Sequence, residues 1–420
     1  MRSTFTAALF TTALTALPAH AVERTEVLET YADIAAAAYA DSLTAAQSLQ
    51  DAVNAFIQAP SPEGLTAART AWRAARVPYM QTEAFRFGNP IVDDWEGRVN
   101  AWPLDEGLID YVDGTYGGAT DENAFAALNV IASPAFTLSG QQIDASEITP
   151  ALLQDTLQEA DGVEANVATG YHAIEFLLWG QDLNGTDAGA GDRPWTDFAV
   201  GDACTNDNCD RRADYLRAVT GLLVDDLAEM AGAWADDGAA RGALLDDEAA
   251  GLSAMLTGMG SLSYGELAGE RMKLGVMMND PEEEHDCFSD NTHQSHYYDG
   301  LGIQNVYLGS YVRLDGSSIS GPSLSDLVAA SAPDTDAQLR TELAASVAAL
   351  DAIRAAADDG MAYDQMLARD NAEGEALIMA AVDALVTQTR SIERAVTALD
   401  LSGIAVEGSD SLDNPNAVFQ

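Results

Sequence analysis

The sequence predicts an all-α protein through three features: long runs in which apolar residues recur at three- and four-residue steps, start and stop signals at their ends, and aperiodic Gly-, Asp- and Pro-rich connections between them. In the first run Tyr31, Ile34, Ala38, Leu49, Val53 and Phe56 keep this spacing and Pro60 ends it, which predicts a helix over 23–58. Ser61-Pro62-Glu63 supplies an N-cap serine and a first-turn proline for a second helix over 62–86. Residues 88–150 hold Trp95, Trp102, Tyr111 and Tyr116 but no sustained period, and so long an irregular connection is usually functional. Helical patterns resume at 151–180, 211–236 and 247–278, with a loop at 181–210. A second irregular stretch, 279–323, carries His285, His293 and His296, three of the 5 histidines. Two helices follow: 335–357, where Leu339, Leu343, Val347 and Leu350 align, and 371–399, with a stripe of Ile378, Ala381, Leu385, Ile392, Val396 and Leu399.

The chain has 420 residues, more than the roughly 250–300 at which a single core stops growing. The order helix, long polar loop, helix occurs at 62–180 and again at 247–357. We therefore expect two helical-bundle domains facing each other, 22–240 and 241–420, with long irregular loops. Residues 1–21 read as a signal peptide: Met1-Arg2 is the positive start, Thr4 to Leu17 is apolar and small, and Ala19-His20-Ala21 is the cleavage signal. No later stretch approaches the roughly 20 apolar residues of a membrane span. The expectation is an exported, periplasmic protein without a transmembrane segment.

There are 67 Asp and Glu against 20 Lys and Arg, a formal net charge of -47. That balance excludes nucleic acid and anionic membrane as partners and favours cations, though it also serves solubility alone. Cys204 and Cys209 enclose only Thr205 to Asn208, so a small disulfide is expected in an oxidising compartment, with Cys287 left unpaired.

Chemistry concentrates in Gly170-Tyr171-His172-Ala173-Ile174-Glu175 and the apolar run that continues to Gly180. At i and i+3 on a helix, His172 and Glu175 share one face, where they can hold a metal ion or share a proton. A zinc peptidase of the H-x-x-E-H type requires a second histidine where this chain has Phe176. Glu83, Arg86, Glu270 and Arg271, near the ends of helical runs, are the candidates to complete the site; a buried hydrogen-bond network that fixes helix register uses the same residue types. The segment from His285 to His296 brings imidazole, carboxylate and the Cys287 thiol together, and Tyr297 and Tyr298 follow, donors suited to zinc, copper or iron, or to a polar loop packed on the bundle. Asp182-Leu183-Asn184-Gly185-Thr186-Asp187 has calcium-like oxygen spacing but no glutamate at the twelfth position, and is read as a turn. A phosphate-binding glycine loop and a G-x-S-x-G elbow are both missing, which removes support for nucleotide binding and serine hydrolysis.

The G-x-H-x-x-E run from Gly170 to Glu175 resembles the signature of the imelysin family, also called insulin-cleaving metalloproteinase-like or iron-regulated protein A-like. Arg76-Val77-Pro78-Tyr79, Glu83 to Gly88, Gly269-Glu270-Arg271-Met272 and the block from His285 to Gly309 reinforce the resemblance over nearly the whole mature chain. It implies an all-helical, two-domain periplasmic or outer-membrane-associated protein linked to iron supply. His172 and Glu175 would be the metal or orienting pair, joined by His285 and ringed by Glu83, Arg86, Glu270 and Arg271 near the domain interface. Iron or zinc would be the cofactor, and a metal ion or an anionic metal chelate the ligand, since arginines suit carboxylate-bearing chelates. Other envelope iron-uptake proteins are the expected partners. A metallopeptidase with Glu175 as its catalytic group is the alternative, and a structural envelope protein the second.

Overall fold

The computed structural model describes residues 22–120 and 123–419. The expected signal peptide lies outside the described residues. Helix α1 (Arg24–Gln58) is opened by reciprocal hydrogen bonding between Glu23 and Glu26 and buries the apolar stripe read from the sequence. Helix α2 (Pro62–Met80) begins at Ser61, whose hydroxyl accepts the Gly64 N–H at 3.1 Å. It stops short of residue 86 because Pro78 withdraws one backbone donor and the Thr82 N–H and hydroxyl both turn back to Tyr79 O. The chain then tightens into a single 3-10 turn, Glu83–Phe85.

The expected helix at 151–180 is in fact two pieces. After a wide turn at Leu153–Leu157, left-handed Glu159, Asp161 and Gly162 interrupt the chain, and only Gly170–Trp179, helix α3, is regular. Every residue of α3 is buried, so it is a core helix, apolar nearly all round, on which His172 and Glu175 are the exceptions. Helix α4 (Cys209–Ala233) follows a loop closed by the Cys204–Cys209 disulfide; Cys287 is free.

Helix α5 (Glu248–Ser261) runs without a break into a π-helical segment, Leu262–Lys273. A π-helix aligns residues five apart, and here it places Arg271 Nε 2.8 Å from Glu266 Oε1. The stretch 279–323 was expected to be irregular but contains helix α6 (Thr292–Leu308). Its buried face carries Ser295, His296, Asp299, Gly300 and Gly302 beside Ile303 and Val306, so no apolar period marks it. Helices α7 (Pro333–Asp358) and α8 (Ala372–Ala398) match expectation. Among the described residues two antiparallel hairpins occur, β1 (Ala135–Leu138) with β2 (Gln141–Asp144) and β3 (Ser310–Val312) with β4 (Ser318–Ser320), and neither was anticipated.

Helix α1 packs on α2 and α4, α3 lies between α2 and α4, and α6 packs on α2, α7 and the π-helical segment. The main core runs from Val27 to Leu399, and a second, smaller one joins the π-helical segment to α7, Tyr363–Leu367 and α8. Polar side chains from α2, α3, α6 and the 279–291 connection meet inside this packing.

Candidate ligand site around a buried histidine–glutamate pair

Gly170 opens α3 with a φ of 79°, a backbone that favours glycine, and a Cβ there would overlap the Val99 carbonyl. The close approach is itself bonded, Tyr171 N–H donating to Val99 O at 2.7 Å. One turn on, His172 Nδ1 lies 3.1 Å from Glu175 Oε2, while Glu175 Oε1 accepts both the N–H and the hydroxyl of Ser289, at 3.0 and 2.6 Å. The i, i+3 pairing expected from the sequence is therefore made. The pair does not open onto a crevice: His172 is 1% exposed and Glu175 0%.

The 279–291 connection delivers the other half of the site. His285 meets His172 edge to face, ring centroids 4.8 Å apart, and Trp102 closes its other side. Asp286 is gripped by Arg76, whose Nη2 lies 2.7 Å from Oδ1, and also accepts from Asn291 and Ser295; its own N–H donates to Thr292 Oγ1. Arg76 also donates to Asn100 Oδ1 at 2.6 Å, reaches His285 Nδ1 at 3.3 Å, and stacks over Tyr171 at 5.0 Å. Donor atoms of His172, His285 and Asp286 fall within 4.8 Å of one another.

Burial, with the Arg76 charge beside it, pushes His172 down to about 3, so its imidazole is neutral at ordinary pH. Burial also depresses His285, helped by the Arg271 charge. The Glu175 carboxyl is raised by burial and by Asp286, while the Ser289 bonds oppose the shift. Burial alone would raise Asp286, but Arg76 outweighs it and holds the carboxyl at about 2. The His172–Glu175 contact is thus a hydrogen bond through one proton rather than a pair of full charges. With Glu175 ionised, Nδ1 carries that proton and Nε2 presents a lone pair; with Glu175 neutral, Nε2 is an N–H donor. His172 Nε2 is buried and has no hydrogen-bond partner.

Of the remaining candidates, three belong to one neighbouring ion-pair network. Arg271 joins Glu83 at 2.9 Å, Glu266 at 2.7 Å and Asp299 at 3.1 Å, and Arg86 joins Asp93, Glu96 and Glu266. Glu270 is half-buried and stands apart, its charge acting on Glu283. Phe176, at the position where a peptidase would place its second histidine, packs on Phe288 at 5.3 Å. Arg76, Asn100, Asp286 and Ser289 were missed as site residues. In the sequence Arg76 stands out only within the Arg76–Tyr79 block that carries the family resemblance, and Asp286 only as a carboxylate of the His285–His296 segment.

The protein is thus all-α, with a buried histidine–glutamate pair on a core helix flanked by a looped-in second histidine and an arginine–aspartate pair. A family model for imelysin, Peptidase_M75, matches residues 35–392, and the chain belongs to the imelysin family. It is 39% identical over 67 residues to iron-regulated protein A of Synechococcus elongatus, a match spanning 16% of this chain and 19% of that protein. A crystal structure described as an iron-regulated protein A precursor, from Parabacteroides distasonis, superposes with a TM-score of 0.65 at 19% identity, covering 90% of this chain and 95% of that one. An imelysin-like protein from Psychrobacter arcticum gives a TM-score of 0.56 at 17% identity, over 92% and 99%. These two structures share the fold.

Proposed function

We propose that this protein is an envelope protein of iron acquisition and that His172 and His285, with Asp286 and Arg76 beside them, bind a metal ion or an anionic iron chelate. The observation that carries the proposal is the orphaned His172 Nε2. A buried nitrogen without a partner costs about 1–3 kcal/mol, and a ligand at that atom removes the cost. Glu175 is then an orienting group rather than a metal ligand, because its Oε2 is taken by His172 Nδ1 and its Oε1 by Ser289; histidine ligands are commonly held by a carboxylate in this way.

Two imidazoles and a carboxylate suit iron(II) or zinc. Arg76 shares Asp286 and adds a positive charge, which favours an anionic chelate over a bare cation. The iron assignment rests on the iron-regulated names of two relatives, and the periplasmic one on the leader-like residues 1–21. Among the described residues no helix is long and apolar enough to cross a membrane.

The test is calorimetric titration of chelator-stripped protein with Fe(II) under argon, with Zn(II) and with ferric citrate. At least one of these binds the wild type and not His172→Ala. The same donor set is also that of a catalytic zinc, which is the specific observation favouring a metallopeptidase with Glu175 in a catalytic role. Chelator-sensitive cleavage of an unfolded protein substrate that vanishes in His172→Ala would move the assignment to that enzyme.

A further inference from the structure

A second carboxylate cluster lies behind the 279–291 connection and takes no part in the site above. Asp182 follows α3, Asp290 ends the connection, and Asp364 sits in the short helix Tyr363–Leu367; each contributes one oxygen, and these oxygens lie within 4.8 Å of one another. Glu284 joins Asp182 and Asp364 in the wall of a chamber of about 10 Å³, the scale of a single small occupant. Asp364 is 2% exposed and Glu284 1%. Both side-chain oxygens of Asp364, Oε2 of Glu284 and Oδ1 of Asp290 are buried with no hydrogen-bond partner. Asp182 Oδ1 accepts from the backbone and side-chain amides of Asn184.

Buried carboxylates are paired, hydrogen-bonded, metal-bound or kept protonated, because an isolated buried charge is prohibitively costly. Burial raises Asp290 to about 6 and Asp364 to about 7, and a cation would take the place of the retained protons. Pairing is not available to this cluster. Arg73, the basic side chain whose charge acts on Asp290, donates to Ser289 O at 2.6 Å and covers the Trp179 ring. The calcium-like run Asp182 to Asp187 lacks its own closing carboxylate, and Asp290, Asp364 and Glu284 supply oxygens from distant parts of the chain.

We propose that Asp182, Asp290, Asp364 and Glu284 bind one hard divalent cation of the calcium class. Carboxylates offered from a loop, an irregular connection and a one-turn helix suit the variable, oxygen-only coordination of calcium better than the strict octahedron of magnesium. Cys287 also lines the chamber, which makes zinc the competing occupant. The bound ion fastens three separate segments, and one of them carries His285 and Asp286. Calcium therefore holds in place half of the site proposed for iron.

The test is titration of the chelator-stripped full chain with CaCl2, followed by calorimetry and by thermal melting. One calcium binds per chain and raises Tm, and Asp364→Asn weakens binding at least tenfold. In calcium-free buffer Asp364→Asn melts no lower than the wild type, because it removes a charge repelled by Asp290 and keeps an oxygen for any backbone amide, which shows that the variant folds. His172→Ala keeps the full calcium response, so failure at one site is distinguishable from failure at the other. The proposal is overturned by a wild type that shows neither heat nor a Tm change at millimolar calcium, by binding that survives Asp364→Asn, by a magnesium response equal to that of calcium, or by tight zinc binding with no calcium response.

Discussion

His172 Nδ1 and Glu175 Oε2 face each other at 3.1 Å, and the far edge of the same imidazole, Nε2, is sealed in the core with nothing to bond. The first contact fixes the ring, with the tautomer set by whether Glu175 is ionised; the second leaves one lone pair or one proton unbonded, and a ring nitrogen of His172 lies within 4.8 Å of donor atoms of His285 and Asp286. His296, also buried, leaves both ring nitrogens without a partner, so what distinguishes His172 is its carboxylate-held Nδ1 and its nearness to His285 and Asp286.

Glu175→Gln separates orientation from packing. Glutamine keeps the Ser289 bonds through its carbonyl, but its NH2 faces Nδ1 and forces the proton onto Nε2. Metal affinity falls about 10- to 100-fold while stability changes by roughly 1 kcal/mol or less. Titration calorimetry beside thermal melting checks both numbers, and an unchanged affinity would show that Glu175 does not set the tautomer.

Arg76→Met leaves Asp286 buried and without its cation. Breaking a buried pair from one side costs about 3–5 kcal/mol, and the double variant Arg76→Met/Asp286→Asn regains part of it. Urea unfolding measures the loss; one below about 1 kcal/mol would mean that Asn291 and Ser295 suffice to hold the carboxylate.

Gly170→Ala introduces a Cβ at a φ of 79° and against the Val99 carbonyl. The left-handed backbone costs roughly 1–2 kcal/mol and the overlap roughly 1–3 more, so thermal unfolding shows a large drop together with weakened ligand binding. A variant as stable as the wild type would contradict the close approach seen here.

Glu106 supplies a pH dependence away from the site. Burial, helped by the Glu282 charge, pushes its carboxyl from 4.5 up to about 8. A carboxyl raised in the folded state costs nothing below 4.5, where both states hold the proton, and its penalty grows as pH climbs toward about 8. Glu106→Gln, which preserves the neighbour Gln181, therefore raises Tm at about pH 8 and leaves it unchanged at about pH 4. An equal effect at both values would refute the shift.

The helices with strong apolar stripes, α1, α7 and α8, were legible because burial of one face dictates their spacing. So was the pairing of His172 with Glu175, a local i, i+3 consequence of α3. What escaped was set by distant partners. Helix α6 buries serine, histidine and aspartate against the π-helical segment and α2, so it carries no hydrophobic period. Arg76 and Asp286, 210 residues apart, have meaning only once the 279–291 connection folds back onto α2. Glu83 and Arg271 were singled out from their neighbourhoods, and their 2.9 Å contact comes from the 3-10 turn after α2 meeting the π-helical segment. Glu270, chosen on the same grounds, points elsewhere because the π-helical register brings position 271, not 270, beside Glu266.

The most direct test is an anomalous difference map, at the iron edge, from crystals of chelator-stripped protein soaked in ferrous ammonium sulfate under argon. A peak about 2.0–2.3 Å from His172 Nε2, with His285 as a second neighbour, is the expected result. Iron peaks that all lie away from His172 Nε2, or none at all in well-soaked crystals, would contradict the assignment of this imidazole as a metal ligand.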